Sequence, residues 1–457
     1  MRDAVALAGA IRSGRTTAGA AMAAALEAAA RSGLGAVCGL EPELGHAAAA
    51  GFDVRAAQDP ARQAVFAGVP LLVKDLGGPF AGLPMRCGSG MLPPVRGDST
   101  LAARFRAAGF LPFGLSTSPE FGLSLASEPA CGPVARHPRA PELSPGGSSG
   151  GAAAAVAAGI VAVAHATDAG GSIRVPAACC GLVGLKPGRG VMPAGPGFGN
   201  HLGGIASELV VSRSVRDTAA ALAALAGPDA GFAAPGALAA GGALRIGLVC
   251  DPLTDPLRAA VLPDAARSLE QAGHRIVPLD WARLAGLAGR SDAVFRDIVA
   301  VNLAELVARC GADPARAEPL TQAVIAHGAA LSATAIWARM NDLLQVSYGL
   351  GLLLQEVDVL LGPMLSGPPR PLGWHPMSHG DIGRHFAAMA GFAPLATLAN
   401  IAGVPAITLP FGADPAGLPL PVQLIGPAGG EGRLLALAAR LEAEGRWQHR
   451  FPIAGDC

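Results

Sequence analysis

The chain has 457 residues, with 34 basic and 34 acidic residues and therefore no formal net charge. Hydrophobic residues make up 51% of the sequence and charged residues only 15%, which excludes an intrinsically disordered chain. The absence of a basic excess argues against a dedicated nucleic-acid-binding protein, and no collagen or coiled-coil repeat is present.

The N-terminal region predicts helices of a mature protein rather than a secretion signal. An apolar run of only eight residues, 4–11, lies between Asp3 and Arg12, and an Ala-rich helix is predicted over 16–31. The longest apolar run, 150–164, is interrupted by glycine and is too short to span a membrane. We therefore expect a soluble, cytoplasmic protein.

Strand-like and helix-like segments alternate along the rest of the chain. Predicted strands cover 68–74, 110–115, 160–166, 244–250, 357–361, 406–410 and 422–425. Predicted helices cover 98–109, 150–159, 213–226, 264–273, 290–311, 316–355 and 430–445. This order predicts an α/β fold in which helices cover both faces of a central mixed sheet. The strands are apolar without alternation, which is typical of a sheet buried on both faces.

A low-complexity Ala/Gly/Pro stretch at 228–242 is the best linker candidate. The predicted strands before and after this stretch look like parts of one sheet, so we expect a single large domain over 1–457. A division into two domains at this stretch is the alternative.

Lysine is rare in this chain. Only Lys74 and Lys186 occur among the 34 basic residues, and all the others are arginine. A buried lysine can lose its proton whereas arginine cannot, so a retained lysine is a candidate for acid–base chemistry. Chance survival of a surface lysine is the alternative interpretation.

The cysteines and histidines show no metal-binding spacing. The eight cysteines include no C-x-x-C pair, and the ten histidines form no H-E-x-x-H or H-x-H pattern. We predict reduced, buried thiols and no metal site.

Two clusters of serine and glycine are the segments that say most about the chemistry of the protein. Gly-Gly-Ser-Ser-Gly-Gly occupies 146–151, and Asp-Ala-Gly-Gly-Ser-Ile-Arg occupies 168–174. Flexible turns are the ordinary interpretation, and the patterns of phosphate-binding loops are absent. G-x-S-x-G matches at Ser148 and at Ser149, but a nucleophile elbow needs a strand directly before it, and 136–145 is predicted to be a loop.

The second cluster directly follows a predicted strand, at the end where α/β sheets place their sites. Two glycines before Ser172 allow backbone N–H groups to converge, as an oxyanion hole requires. Ser172 is thus a candidate nucleophile. His165 lies within the strand and is predicted to be a core histidine, which leaves Lys74 as the unusual residue at another strand end.

Together these residues resemble the amidase signature family. The Ser–cis-Ser–Lys triad of that family is similar to Ser172, Ser148 and Lys74, and the step of 24 residues between the two serines matches it. The resemblance is dense over a signature core at about 68–190 and patchier in the C-terminal half.

The resemblance implies hydrolysis of an amide bond. Ser172 would form the acyl-enzyme, Ser148 would relay the proton and Lys74 would be the base. A lysine serves as base only when it is neutral, and burial lowers its pKa; Asp75 is expected to point to the other face of the strand. No metal or organic cofactor is implied.

The family also implies further site residues. The oxyanion hole would consist of the backbone amides of Ala169, Gly170, Gly171 and Ser172, and the Gly147–Ser148 peptide would be cis. The acyl pocket would include Gly122, Leu123 and Ser124, for which ordinary loop residues are the alternative interpretation. We expect Asp168 and Arg174 to form an ion pair that supports the loop, and we assign no chemistry to Lys186.

The expected ligand is a small, uncharged amide, with no nucleic-acid or membrane partner. A homodimer is implied because the family often dimerises. Two other functions stay open. One is the glutamine-hydrolysing amidase subunit of an aminoacyl-tRNA amidotransferase complex, and the other is a non-catalytic binding protein on the same scaffold.

Overall fold

The computed structural model describes residues 3–55, 58–95, 97–193, 201–226 and 242–455. The linker predicted at 228–242 therefore lies outside the described residues, except for its last position.

Strands and helices alternate through most of the described ranges. The strands are Val37–Leu40 (β1), Val69–Lys74 (β2), Phe110–Ser116 (β3), Val163–Asp168 (β4), Val183–Lys186 (β5), Ser207–Ser212 (β6), Arg245–Leu248 (β7), Arg275–Pro278 (β8), Val359–Pro363 (β9), Ala406–Ala413 (β10) and Pro419–Ile425 (β11). The helices are Ala4–Arg12 (α1), Ala18–Arg31 (α2), Pro42–Asp53 (α3), Pro60–Gln63 (α4), Thr100–Ala107 (α5), Gly150–Ala157 (α6), Arg174–Cys180 (α7), His201–Gly204 (α8), Val215–Ala226 (α9), Pro256–Gln271 (α10), Ala282–Cys310 (α11), Pro319–Ala330 (α12), Ala333–Glu356 (α13), Ile382–Phe392 (α14), Ala396–Ala402 (α15) and Glu431–Glu442 (α16).

All eleven of these strands belong to one mixed sheet. Their order is β1-β3-β2-β4-β6-β5-β10-β11-β9-β7-β8. β2 is parallel to both of its neighbours, β3 and β4, and β7 is parallel to β8 and β9, whereas the other pairs are antiparallel. Strands from both halves of the chain share the sheet, which confirms the predicted single α/β domain.

The central strands are buried on both faces. Every residue of β2, β3, β4 and β6 is buried. Successive side chains of a strand point to opposite faces, so the helices must cover both sides of the sheet. The prediction from the apolar, non-alternating strands is confirmed.

The prediction of one long helix over 316–355 is wrong. The structure has two helices here, α12 and α13, which are separated at Leu331 and Ser332. The hydroxyl of Ser332 accepts a hydrogen bond from the Ala335 amide at 3.1 Å and caps α13. Ser332 has the extended backbone conformation that is typical of an N-cap (φ −72°, ψ 157°), so the chain cannot continue as one helix through this residue.

The prediction of buried thiols is only partly correct. Cys179 and Cys180 are buried, but Cys38, Cys131 and Cys310 are exposed, and all seven described cysteines are free thiols.

Among the described residues, no single helix is both long and apolar enough to cross a membrane. The helices α14 and α15 reach the necessary length and hydropathy only when they are taken together, and they are bent by 97° relative to each other.

Candidate active site

The sheet brings the ends of two neighbouring strands together. Lys74 is the last residue of β2, and Asp168 is the last residue of β4. The two strands are parallel, with Leu72 opposite Ala164. Their carboxyl ends therefore meet at one edge of the sheet, where α/β folds place their sites.

Lys74 is completely buried and contacts two hydroxyl groups. Its Nζ lies 2.7 Å from Ser148 Oγ and 2.8 Å from Thr167 Oγ1. Burial lowers the pKa of Lys74 to about 7, although the negative charges of Asp168 and Glu208 oppose this shift. The amine is therefore partly neutral near pH 7 and able to accept a proton.

A histidine holds the backbone of Lys74. The Lys74 amide donates to His165 Nδ1 at 3.3 Å, and His165 Nε2 lies 2.9 Å from Glu208 Oε2. The imidazole also packs against the rings of Phe80 and Phe105. His165 is thus the buried core histidine that was predicted, and it also holds the end of β2.

Ser148 lies in the loop that leads into α6, and the Gly147–Ser148 peptide is cis. Ser127 holds this loop, because its hydroxyl donates to Ser148 O at 3.2 Å and accepts from the Gly150 amide at 2.9 Å. A Cβ at Gly147 would lie only 2.7 Å from the Ser124 carbonyl oxygen. The glycine cluster is thus required by the close approach of two backbone segments.

Asp168 and Arg174 organise the loop that carries Ser172. Arg174 Nε lies 2.9 Å from Asp168 Oδ2 and Arg174 Nη2 lies 3.0 Å from Asp168 Oδ1, and neither side chain is exposed. Despite its burial, Asp168 has a pKa well below its usual range, mainly because of the Arg174 charge and its hydrogen bonds. The predicted ion pair is confirmed.

One predicted oxyanion donor is already used within the loop. The Gly171 amide donates to Asp168 Oδ1 at 2.8 Å, so this N–H points to the carboxylate. Ala169 and Ser172 line the main cavity of the site. Gly170 lies against the Phe295 ring, which would be 2.8 Å from a Cβ at that position.

Two polar residues of this site, Thr167 and Ser149, have roles that the sequence did not predict. Thr167 contacts Lys74 Nζ, and the Ser149 hydroxyl donates to the Thr167 carbonyl at 3.3 Å. The Ser149 amide also donates to the Ser172 carbonyl at 3.3 Å. Strand alternation offered a signal for Thr167, because it places Thr167 on the same face as His165, next to Lys74.

Ser148 and Ser172 open into one large cavity of about 770 Å³. This volume is within the usual range of small-molecule sites. Its walls are mostly apolar, and a few polar residues lie along one side, including Asn302, Glu305 and Arg309. Arg309 Nε lies 2.9 Å from Glu305 Oε1, so these two opposite charges are paired.

The three predicted acyl-pocket residues do not share one environment. Gly122 and Leu123 line the cavity, whereas Ser124 is not among the lining residues. The buried hydroxyl of Ser124 lies 2.7 Å from His375 Nδ1 and donates to the His375 carbonyl at 3.0 Å. In the structure Ser124 therefore anchors the loop, and a substrate-binding role for it stays a prediction.

Gly122 has a steric role beside Ser148. Its φ is +69°, and a Cβ would lie 2.6 Å from Leu76 and 3.1 Å from Ser148 Oγ.

Within the described ranges, no three His, Cys, Asp or Glu side chains are grouped so that they could hold a metal ion.

The comparisons with known proteins agree on one family. Residues 21–435 match the family model described as Amidase. The chain is 32% identical over 431 residues to the 6-aminohexanoate-cyclic-dimer hydrolase of Pseudomonas sp. (strain NK87), with 85% of each sequence covered.

Two solved structures are similar to this one throughout. The 6-aminohexanoate cyclic dimer hydrolase complexed with substrate has a TM-score of 0.87 over 99% of both chains at 28% identity. The peptide amidase PAM in complex with the competitive inhibitor chymostatin has a TM-score of 0.79 at 26% identity, covering 98% of this chain and 99% of that one.

Proposed function

The chain belongs to the amidase family, and from this premise we propose that it hydrolyses the C–N bond of a small or hydrophobic amide through an acyl-enzyme on Ser172. Ser148 is the proton relay and Lys74 is the base. The observation that carries this proposal is the 2.7 Å contact between Lys74 Nζ and Ser148 Oγ, because Ser148 lines the same cavity as Ser172.

The first half of the reaction forms the acyl-enzyme. Ser172 Oγ attacks the carbonyl carbon, while its proton passes to Ser148 Oγ and the Ser148 proton passes to Lys74 Nζ. When the tetrahedral intermediate collapses, the C–N bond breaks, and the proton returns through Ser148 to the leaving amine. The acyl group is then joined to Ser172 as an ester.

The second half releases the acid. Water attacks the ester carbonyl, and its proton follows the same path to Lys74. Collapse of the second intermediate breaks the bond to Ser172, which regains a proton through Ser148. Lys74 is thus neutral at the start and at the end of each half-reaction.

Backbone amides at the start of the nucleophile loop stabilise the developing oxyanion. We assign this role to the amides of Ala169, Gly170 and Ser172. The Gly171 amide donates to Asp168, so in the proposed reaction it orders the loop instead of binding the substrate oxygen.

The cavity favours an uncharged substrate with an apolar acyl or amine part. Leu76, Met85, Phe121, Phe295 and Ile298 are among its apolar walls. An unpaired charge on the substrate would lose its hydration against these apolar walls. Glu305 and Arg309, which also line the cavity, are paired with each other and are more than half exposed. A cytoplasmic location and the absence of a nucleic-acid or membrane partner stay predictions from the sequence.

The proposal is tested by hydrolysis of a panel of anilides, aliphatic primary amides and glutamine. We expect the wild type to prefer uncharged, hydrophobic amides, and Ser172→Ala and Lys74→Ala to lose about three orders of magnitude or more in kcat/KM. Lys186→Met is the matched control, since Lys186 is also buried but its Nζ donates to the Pro187 carbonyl and not to Ser148; it should stay within about tenfold of wild type.

Other outcomes favour the alternative functions. Preference for glutamine would favour the amidotransferase subunit. If a serine-reactive fluorophosphonate fails to label Ser172 in the folded protein and no amide is hydrolysed, the scaffold is a binding protein.

A further inference from the structure

One helix, α11, forms a long side of the large cavity. Five of its cavity-lining residues follow each other at intervals of three or four positions, which places them on one face of the helix. At a rise of about 1.5 Å per residue, this face is about 21 Å long. The five residues, which we call the α11 wall, are Phe295, Ile298, Asn302, Glu305 and Arg309.

The two ends of the α11 wall have different surroundings. A Cβ at Gly170 would lie 2.8 Å from Phe295 Cζ, so the Phe295 end touches the loop that carries Ser172. At the other end, the side chains of Glu305 and Arg309 are more than half exposed and pair with each other. The cavity therefore meets solvent at the Arg309 end, and the α11 wall leads from there to the catalytic residues.

Asn302 lies midway along this wall. It follows Phe295 by seven residues, which is about 10 Å along the helix axis. The side chain is half-buried and makes no hydrogen bond with any residue of the described ranges. A carboxamide can donate two hydrogen bonds and accept two, so Asn302 offers unused donors and an unused acceptor to the cavity.

The surroundings of Asn302 on α11 are apolar. Ile298 and Leu306, which lie one turn before it and one turn after it, also line the cavity. Asn302 is the only carboxamide among the described lining residues, where the other neutral polar side chains are Ser148, Thr167, Ser172 and Cys87. The three hydroxyl groups belong to the catalytic centre. On the α11 side, a neutral polar group far from the scissile amide therefore has Asn302 as its side-chain partner.

From this placement we propose that Asn302 binds a second amide group of the substrate. The inference rests on the proposed function and adds the substrate class, which is a diamide whose two amide groups are joined by an apolar chain. A span of about 10 Å corresponds to about eight bonds of extended chain. We therefore expect a separation of about six to nine bonds between the scissile carbonyl carbon and the second one.

The physical reason for this selectivity is the burial of unpaired polar groups. A substrate with a plain alkyl chain covers the Asn302 carboxamide with hydrocarbon, and the carboxamide then loses hydrogen bonds to water without replacement. A second amide at the same depth restores those bonds and also satisfies its own donor and acceptor. A charged group is a poorer ligand, because a neutral carboxamide does not offset the loss of its hydration.

The test uses two series of substrates of increasing chain length. In one series, ω-acetamidoalkanoic anilides, the second amide lies on the acyl side of the scissile bond. In the other series, N-benzoyl derivatives of ω-aminoalkanoic N-methylamides, it lies on the amine side. Each compound is compared with the alkyl analogue of equal length. In at least one series, kcat/KM of the wild type should pass through a maximum at about six to nine bonds and exceed that of the alkyl analogue about tenfold.

Asn302→Leu tests the assigned residue, because leucine has a similar size but no hydrogen-bonding group. We expect this variant to lose the tenfold advantage and to hydrolyse the alkyl analogue within about threefold of wild type, which also establishes folding. Asn302→Ala is a second variant with the same expectation. Asn341→Leu is the matched control, since Asn341 is an exposed carboxamide on α13 and is not among the described cavity-lining residues; it should keep the advantage.

Two results would overturn the inference and leave the proposed function standing. One is hydrolysis of the alkyl analogues with no advantage for a second amide at any chain length. The other is an advantage that persists in both Asn302 variants. If the wild type hydrolyses no member of either series and no plain anilide, the proposed function itself fails, and the inference fails with it.

Discussion

At the scale of single residues, the site depends on how one amine is buried. Lys74 loses its hydration completely, and in return it gains contacts with two hydroxyl groups, on Ser148 and Thr167. Two buried carboxylates, Asp168 and Glu208, limit the fall of its pKa. A lysine in this position is therefore poised between the charged and the neutral form near neutral pH.

This balance predicts the pH dependence of the proposed reaction. Because the pKa of Lys74 is lowered to about 7, the fraction of neutral base grows as the pH rises through this value. We expect kcat/KM for a neutral anilide to rise about tenfold per pH unit below pH 7 and to reach a plateau above it. The measurement is a pH–rate profile between pH 5 and pH 9.

Glu208→Gln tests the electrostatic cause. The variant removes a negative charge that raises the pKa of Lys74, so the rising limb should move to lower pH. A profile that does not change with pH in the wild type, or a limb that moves to higher pH in the variant, would contradict this account.

At the scale of elements, one guanidinium joins three parts of the fold. Arg174 begins α7 and binds Asp168 at the end of β4. Its Nη1 donates to Gln423 Oε1 of β11 at 2.8 Å, and its Nη2 donates to Asn400 Oδ1 of α15 at 2.6 Å. The loop that carries Ser172 is therefore fixed to strands and helices from both halves of the chain.

Removing this cation should strongly destabilise the protein. Arg174→Met leaves Asp168 buried without its ionic partner, and we expect the free energy of unfolding to fall by about 3–5 kcal/mol. Arg31→Met breaks an exposed pair with Glu27, so this control should change it by less than about 1 kcal/mol. The measurement is denaturant unfolding of both variants, and equal losses would show that the buried pair has no special role.

The sequence predicts elements well where a long apolar pattern or a cap defines them. It predicts β2, β3 and α16 to within a few residues, and it places the α5 start near Ser99, whose hydroxyl accepts from the Ala102 amide. It misses four short strands, β1, β5, β6 and β8, because four to six residues carry too little pattern to separate strand from loop.

At the scale of the whole molecule, the site is a product of the sheet. Lys74 comes from β2, Ser172 follows β4, and Ser148 comes from the loop before α6. The resemblance to the amidase signature family identifies these three residues as one group from the sequence alone. The His165–Glu208 pair and the His375 anchor of Ser124 could not be predicted in this way, because they depend on which strands and loops become neighbours.

The fold also buries its second lysine, which links global stability to pH. Lys186, the last residue of β5, is buried, and its Nζ donates to the Pro187 carbonyl at 2.6 Å. Burial and, secondarily, the nearby Arg174 charge lower its pKa to about 7, against the opposing effect of Asp168 and Glu431. An unfolded lysine has a pKa of about 10.4.

Between these two pKa values the unfolded chain binds one more proton at Lys186 than the folded chain, so stability increases with pH in this window. We expect the free energy of unfolding of wild type to rise more steeply than that of Lys186→Met, by about 1.4 kcal/mol per pH unit between about pH 7.5 and 9.5. Urea unfolding at several pH values measures both slopes, and Arg31→Met should run parallel to wild type. Parallel curves for wild type and Lys186→Met would mean that Lys186 keeps its proton in the folded state, and that Asp168 and Glu431 outweigh its burial.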